Sequence, residues 1–330
     1  MMSGWVSRSM IQNLLLNRID SGSESGVTVT GKFKSKVVMN KKVSIIMPCY
    51  NQGAYVKEAI ESVLNQTYKN IEIVCVNDAS SDNSVEIIKG ICCKEYHIPI
   101  IFINHFENKG VVATRNEAIE KATGDYILPL DADDTIEPTF VEKAVKILDE
   151  NPDVGIVYCW VNNFGVGMKS WIDKFEDFDI NKEIISNLIV NTSMFRKSDF
   201  LAVGGYKAYM NKGWEDWDLW LSIIEAGRKA YLIKAALFNY RKCGVTARSV
   251  FAYKNTEELC YTLLKYHTNL YITNKKVLER IFRADYDLIV EAYKKYREHE
   301  RKMNRYRKMC IEVVSILIMF YLIMFIYLML

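Results

Sequence analysis

Between Val43 and Cys159 the chain alternates short, continuous apolar runs with longer amphipathic stretches. Val43-Ser44-Ile45-Ile46-Met47 reads as a buried strand, ended by Pro48, which cannot donate to a central ladder. A helical pattern follows from Ala54 to Leu64, then a strand over Ile71 to Val76. The Ser80-Ser81-Asp82 cap signal starts a helix, and a strand covers Ile98 to Ile103. A helix over Val111 to Lys121 leads to a strand running into Asp131. A helix after Pro138, to about Leu148, and a strand over Val154 to Cys159 complete the series. Alternation at this spacing predicts an α/β fold with a parallel, doubly wound sheet flanked by helices.

From about residue 160 the pattern changes. Trp160, Trp171, Phe175 and Phe178 suggest irregular cover over a site, and residues 188–194 offer a possible return to the sheet. Trp214 to Ala226 reads as an amphipathic helix with Trp217, Trp220 and Leu221 on one face. Apolar runs at Tyr231-Leu232-Ile233 and Ala236 to Tyr240 close the globular part, and residues 255–300 have helical character. Residues 1–41, polar and without period, read as a loosely ordered leader, with no signal peptide recognised in the Met10–Leu16 patch. The implied organisation is a globular domain over 42–250, split near residue 135, a helical and basic region over 251–308, and a terminal apolar helix over 309–330.

Charge changes the picture only at the C-terminal end. The net +3 conceals a segment from Lys294 to Lys308 that carries eight Lys/Arg against Glu298 and Glu300, so it is +6 and the remainder −3. The basic character therefore belongs to one short stretch rather than to a nucleic-acid-binding face. After it, Val313 to Leu330 contains no charged residue. About 18–20 apolar residues at ~1.5 Å each match a ~30 Å hydrocarbon core. Basic residues before such a run stay on the cytoplasmic side. The expectation is a single C-terminal anchor with the protein on the cytoplasmic face of the membrane. An interfacial or partner-binding helix is the alternative. The eight cysteines form no C-x-x-C pair, and the four histidines no zinc constellation, which fits a reducing compartment.

The candidate chemistry lies at the strand ends. Leu130-Asp131-Ala132-Asp133-Asp134 places three carboxylates within four residues, an arrangement that calls for a cation. Oxygen-only ligation suits Mg²⁺ or Mn²⁺ bridging protein carboxylates to a phosphate. Taken alone, the stretch is equally a solvated turn capping the next helix. Pro48-Cys49-Tyr50-Asn51-Gln52-Gly53 ends the first strand, and Asn77-Asp78 the second. A carboxylate at Asp78 can accept a base imide N–H or cap a helix. Asn108-Lys109-Gly110 and Thr114-Arg115-Asn116 start and line the third helix, where a cation can offset phosphate or simply face solvent. Glu215, Asp216 and Asp218 open the tryptophan-rich helix, where acidic residues also favour the helix dipole.

With these motifs in this order, residues 43–245 resemble the family 2 glycosyltransferases, which are GT-A-fold, inverting and nucleotide-sugar dependent. The resemblance rests on Val43 to Asn51, Glu72 to Asp82, Asn108-Lys109-Gly110 with Ala113 to Asn116, the D-x-D at Asp131-Ala132-Asp133, and Gly204-Gly205-Tyr206 with Trp214 to Trp220. It implies a Rossmann-like, mostly parallel sheet and a nucleoside pocket lined by Pro48, Tyr50 and Asn51. Asp78 would read the base, most often uracil, and Lys109, Arg115 and Ala132 would lie along the donor. Asp131 would touch ribose or metal, and Asp133 would bind the Mn²⁺ or Mg²⁺. Glu215 would meet the acceptor and Asp216 would be the general base. The implied partners are a nucleotide-sugar, a UDP-sugar above all, and a glycan or lipid-linked glycan acceptor, with no nucleic acid. The rival readings are less well served. A sugar nucleotidyltransferase would want a Gly-rich loop after the first strand, and the P-loop pattern is absent. Processive synthases carry Q-x-x-R-W, whereas no Gln follows Gln66. The non-enzymatic alternative is an inactive sugar- or nucleotide-binding scaffold at a membrane.

Overall fold

Strands β1 (Val43–Cys49), β2 (Ile71–Asn77), β3 (Ile100–Asn104) and β4 (Tyr126–Pro129) lie parallel in the order β3-β2-β1-β4. The computed structural model describes residues 41–242 except 166 and 168, residues 251–277 except 253 and 275, and Met324. Every residue of β2, and all of β1 but Pro48, is buried, as a sheet covered on both faces requires. Alternate side chains of one strand face opposite layers. Ile45, Met47, Ile73 and Cys75 pack under α1 (Val56–Leu64) and α2 (Ser84–Cys92), together with Phe140 and Val145 of α4 (Phe140–Glu150). Ile46, Val74 and Val76 pack on the other side, against Val112 and Ile119 of α3 (Val111–Lys121). The helices and strands expected up to residue 159 are thus present, within a few residues at each boundary.

Beyond β4 the expectation of a parallel sheet is corrected. The remaining strands are β5 (Thr135–Ile136), β6 (Val154–Phe164), β7 (Trp171–Asp173), β8 (Met194–Arg196) and β9 (Lys229–Arg241). The full order is β3-β2-β1-β4-β8-β6-β9-β5, with β7 paired to β6. β8 enters antiparallel between β4 and β6, β5 and β7 are antiparallel to their neighbours, and β6-β9 is parallel. Four of the eight pairings are therefore antiparallel, and the sheet is mixed. A strand of three residues such as β8 is too short to declare a period, and its direction depends on how residues 174–193 return to the sheet.

Three local expectations also change. Trp160 belongs to β6, and its indole N–H reaches across to donate to the Phe175 carbonyl at 3.0 Å. The two short runs near 231 and 236 are one strand, β9, whose register with β6 shifts on either side of Trp160. The return to the sheet begins at Met194 rather than across 188–194.

Helix α7 (Glu215–Glu225) is buried on two sides, and its tryptophans pack into different clusters. Trp220 meets Phe195 at 5.7 Å in the sheet layer that also holds Ile156 and Leu219. Trp217 and Leu221 turn to a third cluster, with Ile184, Met210, Leu259, Leu263 and Tyr271. That cluster joins three further elements to α7: the short α5 (Ile180–Glu183), α8 (Thr256–Tyr266) and α9 (Thr268–Thr273). A last short helix, α6 (Lys197–Ala202), follows β8 directly. The helical region expected from 251 is present through Thr273. The leader, the basic stretch of 294–308 and the apolar helix expected over 309–330 lie outside the described residues, apart from Lys41 and Met324. Among the described residues no helix is long and apolar enough to cross a membrane.

Candidate active site

The carboxyl ends of β1 and β2 are laced together by polar side chains. Asn51, in the left-handed region at φ 54°, accepts from the Ser81 N–H at 2.8 Å, and its own N–H donates to Ser80 Oγ at 2.9 Å. The Gln52 N–H donates to Ser84 Oγ at 3.0 Å and the Gly53 N–H to Asp82 at 2.8 Å. A Cβ on Gly53 would overlap Asn83 Oδ1, so any larger residue here must displace that side chain. Tyr50 stands at this edge half exposed, at 51%.

Asp78, at the end of β2, is 4% exposed and shapes the next loop. Its Oδ1 accepts from the Lys109 N–H at 2.8 Å and faces His105 Nδ1 at 2.8 Å, while Oδ2 accepts from the Gly110 N–H at 2.9 Å. A carboxylate has about four lone-pair directions, so one on Oδ2 remains for a base N–H. Lys109 contributes its backbone, and its ammonium pairs with Glu117 at 3.1 Å. Gly110, at φ 82°, takes the turn that starts α3.

One side chain of α3 joins the two acidic motifs. Arg115, buried at 2% exposure, donates from Nη2 to Asp131 Oδ1 and from Nη1 to Glu215 Oε1, both at 2.6 Å. Its guanidinium also lies 5.8 Å from the centre of the Tyr206 ring. Arg115 is therefore not a solvated surface arginine. Although burial works against the charged form, the adjoining Asp131 and Glu215 carboxylates raise its pKa still further. Glu215, itself 3% exposed, is committed to this pair.

Asp216 follows on the first turn of α7, part-buried, with Trp214 before it in the left-handed region at φ 59°. Trp214 is neither Gly nor Asn, so this backbone is costly and is held by the packing around it. The carboxylate accepts from the Trp217 N–H at 2.9 Å and the Asn187 amide at 3.1 Å. Burial, and then the Glu215 charge, push its pKa up to about 6, with Arg115 opposing. Such a group is ionised at neutral pH yet basic enough to take a hydroxyl proton in a transition state.

Asp133 behaves differently. No side-chain donor among the described residues reaches its carboxylate, and burial followed by the Asp131 charge raises its pKa to about 6. A part-buried carboxylate beside another and lacking a side-chain donor suits a bound cation, so the turn fits Mn²⁺ or Mg²⁺. Among the described residues no three His, Cys, Asp or Glu side chains cluster to hold a metal by themselves. These ions commonly use one or two protein carboxylates and complete their shell with phosphate and water. Asp134 has a framework role: it is 2% exposed and accepts from the Arg241 N–H at 2.7 Å. Ala132 is buried beneath the turn.

Sequence reasoning missed several residues of this site. Arg241, ending β9, donates from Nε to the Asp133 carbonyl at 2.8 Å and from Nη2 to Glu58 at 2.5 Å. It sits between the rings of Tyr55 and Phe164, at 4.6 and 4.5 Å. Asn187 and Asn191, on one loop, reach Asp216 at 3.1 Å and Asp131 at 3.4 Å. Glu183 shapes that loop by accepting from the Leu188 and Ile189 N–H groups at 3.0 and 3.2 Å. No periodicity marks these positions. A cation closing the last strand was the one available signal.

A sheet edge lined with polar side chains, an acidic turn and a carboxylate-bearing helix thus lie together, the last two joined by Arg115. Residues 44–213 match the sequence profile of Glycosyl transferase family 2. An uncharacterized glycosyltransferase of Methanocaldococcus jannaschii is 34% identical over 206 residues, which cover 60% of this chain and 70% of that protein. The putative glycosyltransferase EpsE of Bacillus subtilis is 32% identical over 215 residues, 61% of this chain and 73% of that one. Among solved structures, Staphylococcus aureus TarS in complex with UDP-GlcNAc aligns with TM-score 0.53 at 19% identity, over 70% of this chain and 73% of that one. The mannosyltransferase PcManGT of Pyrobaculum calidifontis, in complex with GDP-Man and Mn²⁺, aligns with TM-score 0.54 at 17% identity, over 82% and 83%. The chain belongs to glycosyl transferase family 2 and is a glycosyltransferase with an α/β, GT-A-like fold.

Proposed function

We propose that the protein is an inverting transferase that moves one sugar from a nucleotide-sugar, a UDP-sugar above all, to a hydroxyl of a glycan or lipid-linked glycan. The observation that carries this reading is the Arg115 bridge, which sets the Asp131–Asp133 turn and the α7 carboxylates at one sheet edge. Asp216 accepts the acceptor's hydroxyl proton as that oxygen bonds to the anomeric carbon and the bond to the diphosphate breaks. Displacement from the face opposite the leaving group inverts the anomeric centre without an enzyme nucleophile. Asp131 and Asp133 would hold a Mn²⁺ or Mg²⁺ ion. When bound, it neutralises charge growing on the leaving diphosphate. Asp78, with its remaining lone pair, and the half-exposed Tyr50 suit the imide edge and the face of a uracil ring. Pro48 and Asn51 line the same edge.

Relatives of the same fold support the donor class: TarS binds UDP-GlcNAc and PcManGT binds GDP-Man with Mn²⁺. The uncharged run from Val313 to Leu330, after the +6 segment, supports an anchor on the cytoplasmic face of a membrane and an acceptor held there. Removing residues 309–330 should release the protein from membranes and lower activity on lipid-linked acceptors. Retention of both would refute the anchor.

A panel of UDP-, GDP- and dTDP-sugars, assayed for hydrolysis with Mn²⁺, should give turnover of a UDP-sugar. Turnover confined to GDP- or dTDP-sugars would overturn the uracil assignment. Asp133→Ala should abolish the Mn²⁺-dependent part of UDP affinity in titration calorimetry. If that affinity is unchanged, Asp133 does not hold the ion.

A further inference from the structure

Outside the segment matched by the family profile, the helical pair α8–α9 meets α7 through one buried histidine. His267, between α8 and α9, is 2% exposed. Its Nε2 lies 3.2 Å from Asp218 Oδ1 and its Nδ1 2.7 Å from Glu225 Oε2. A neutral imidazole has a single N–H, so a ring facing a carboxylate at each nitrogen satisfies both only as the doubly protonated cation.

Asp218 and Glu225 are seven residues apart, two turns along one face of α7, so the cation ties the first turn of the helix to its last. Tyr209 reinforces the same end, donating from its hydroxyl to Asp218 Oδ1 at 3.2 Å and stacking on Tyr266 at 4.0 Å. The packed elements also bring Lys265, 5.0 Å over the Tyr266 ring, Tyr271, whose hydroxyl donates to the Ile184 carbonyl at 2.9 Å, and Glu257, Glu258, Cys260 and Tyr261 of α8. Asp218 is fully buried, its Oδ2 has no partner among the described residues, and it stands two residues after Asp216 on the same helical turn.

We propose that His267 is a positioning residue for sugar transfer: its imidazolium holds the first turn of α7, and with it the Asp216 carboxylate, against the α8–α9 pair. This rests on the base role assigned to Asp216 above. The helical region beyond the matched segment is then part of the catalytic unit. Burial alone would lower the His267 pKa, but hydrogen bonds and charge from Asp218 and Glu225 raise it to about 9. A folded-state pKa above the ordinary value of 6.5 means the clamp is fully present below pH 6.5 and lost as pH rises through about 9.

The test uses the full chain with His267→Gln and, as a milder variant, Glu225→Gln. Amide exchange over residues 214–218 should accelerate about tenfold while the β1–β2 core is unchanged. With a donor from the hydrolysis panel, kcat should fall about tenfold while donor KM stays within about twofold, and the alkaline limb of kcat near pH 9 should vanish. Unchanged exchange in both variants overturns the clamp. Exchange accelerated equally across all strands, or kcat unchanged despite faster local exchange, overturns the positioning role. If the wild-type chain turns over no donor, the glycosyl-transfer assignment fails by itself, and the exchange measurement still decides whether His267 holds α7.

Discussion

Asp216→Asn is expected to reduce transfer by about 10²–10⁴-fold while leaving donor affinity within about twofold, because an amide keeps the shape and the bond accepted from the Trp217 N–H but cannot accept the hydroxyl proton. The surroundings sharpen the expectation. Asn187 and the Trp217 N–H orient the carboxylate, and Arg115 engages the neighbouring Glu215, leaving Asp216 the available base on that turn. Its raised pKa, about 6, also sets a pH dependence. The basic form is lost as pH falls through 6, so wild-type kcat should decline below that point. Initial rates from pH 5 to 8, with donor binding measured alongside, check both parts. Full transfer by Asp216→Asn would remove Asp216 from the base role, whatever the pH profile.

The second large effect is on stability and site geometry together. Arg115→Met should destabilise the folded chain by about 3–5 kcal/mol, the range for removing one partner of a buried ion pair. Glu215 is 3% exposed and would lose its guanidinium partner while still buried, whereas Asp131, with a side chain 37% exposed, can partly recover water. For a domain of this size the loss corresponds to roughly 6–20 °C in Tm. Adding Glu215→Gln to Arg115→Met should recover part of it by removing a buried charge. Calorimetric melting of the single and double variants measures this. A Tm within about 2 °C of wild type for Arg115→Met would mean that the two salt bridges contribute little net stability.

Much of the first half was readable in the chain. Each strand from β1 to β4 is a mainly apolar run, and a polar group follows each strand. Those features are local, and a parallel sheet puts all its carboxyl ends on one edge, so the acidic turn and Asp78 had to lie near each other. The second half was less readable because its strands are either very short or irregular. β8 is three residues long and antiparallel to both neighbours, and β9 carries register shifts that split its pattern into two runs. The two tryptophans of α7 were placed on one face because periodicity reports that they are buried, not by what. In the structure they serve different cores.

Periodicity and motif order are properties of neighbouring residues, so they were enough to point to the family and to the residue types at the strand ends. What those residues touch follows from the closed fold. Arg115 and Glu215 are a hundred residues apart and meet at 2.6 Å. Arg241 returns to the turn at Asp133, and His267 meets α7 from a helical pair the family profile does not include. Contacts of that separation depend on how the whole chain closes, and no local pattern records them. The acidic turn shows the division most clearly. Its charge density left a cation site and a solvated cap equally open, while the folded neighbours pair Asp131 with the arginine, give Asp134 to the framework, and leave Asp133 without a side-chain donor among the described residues.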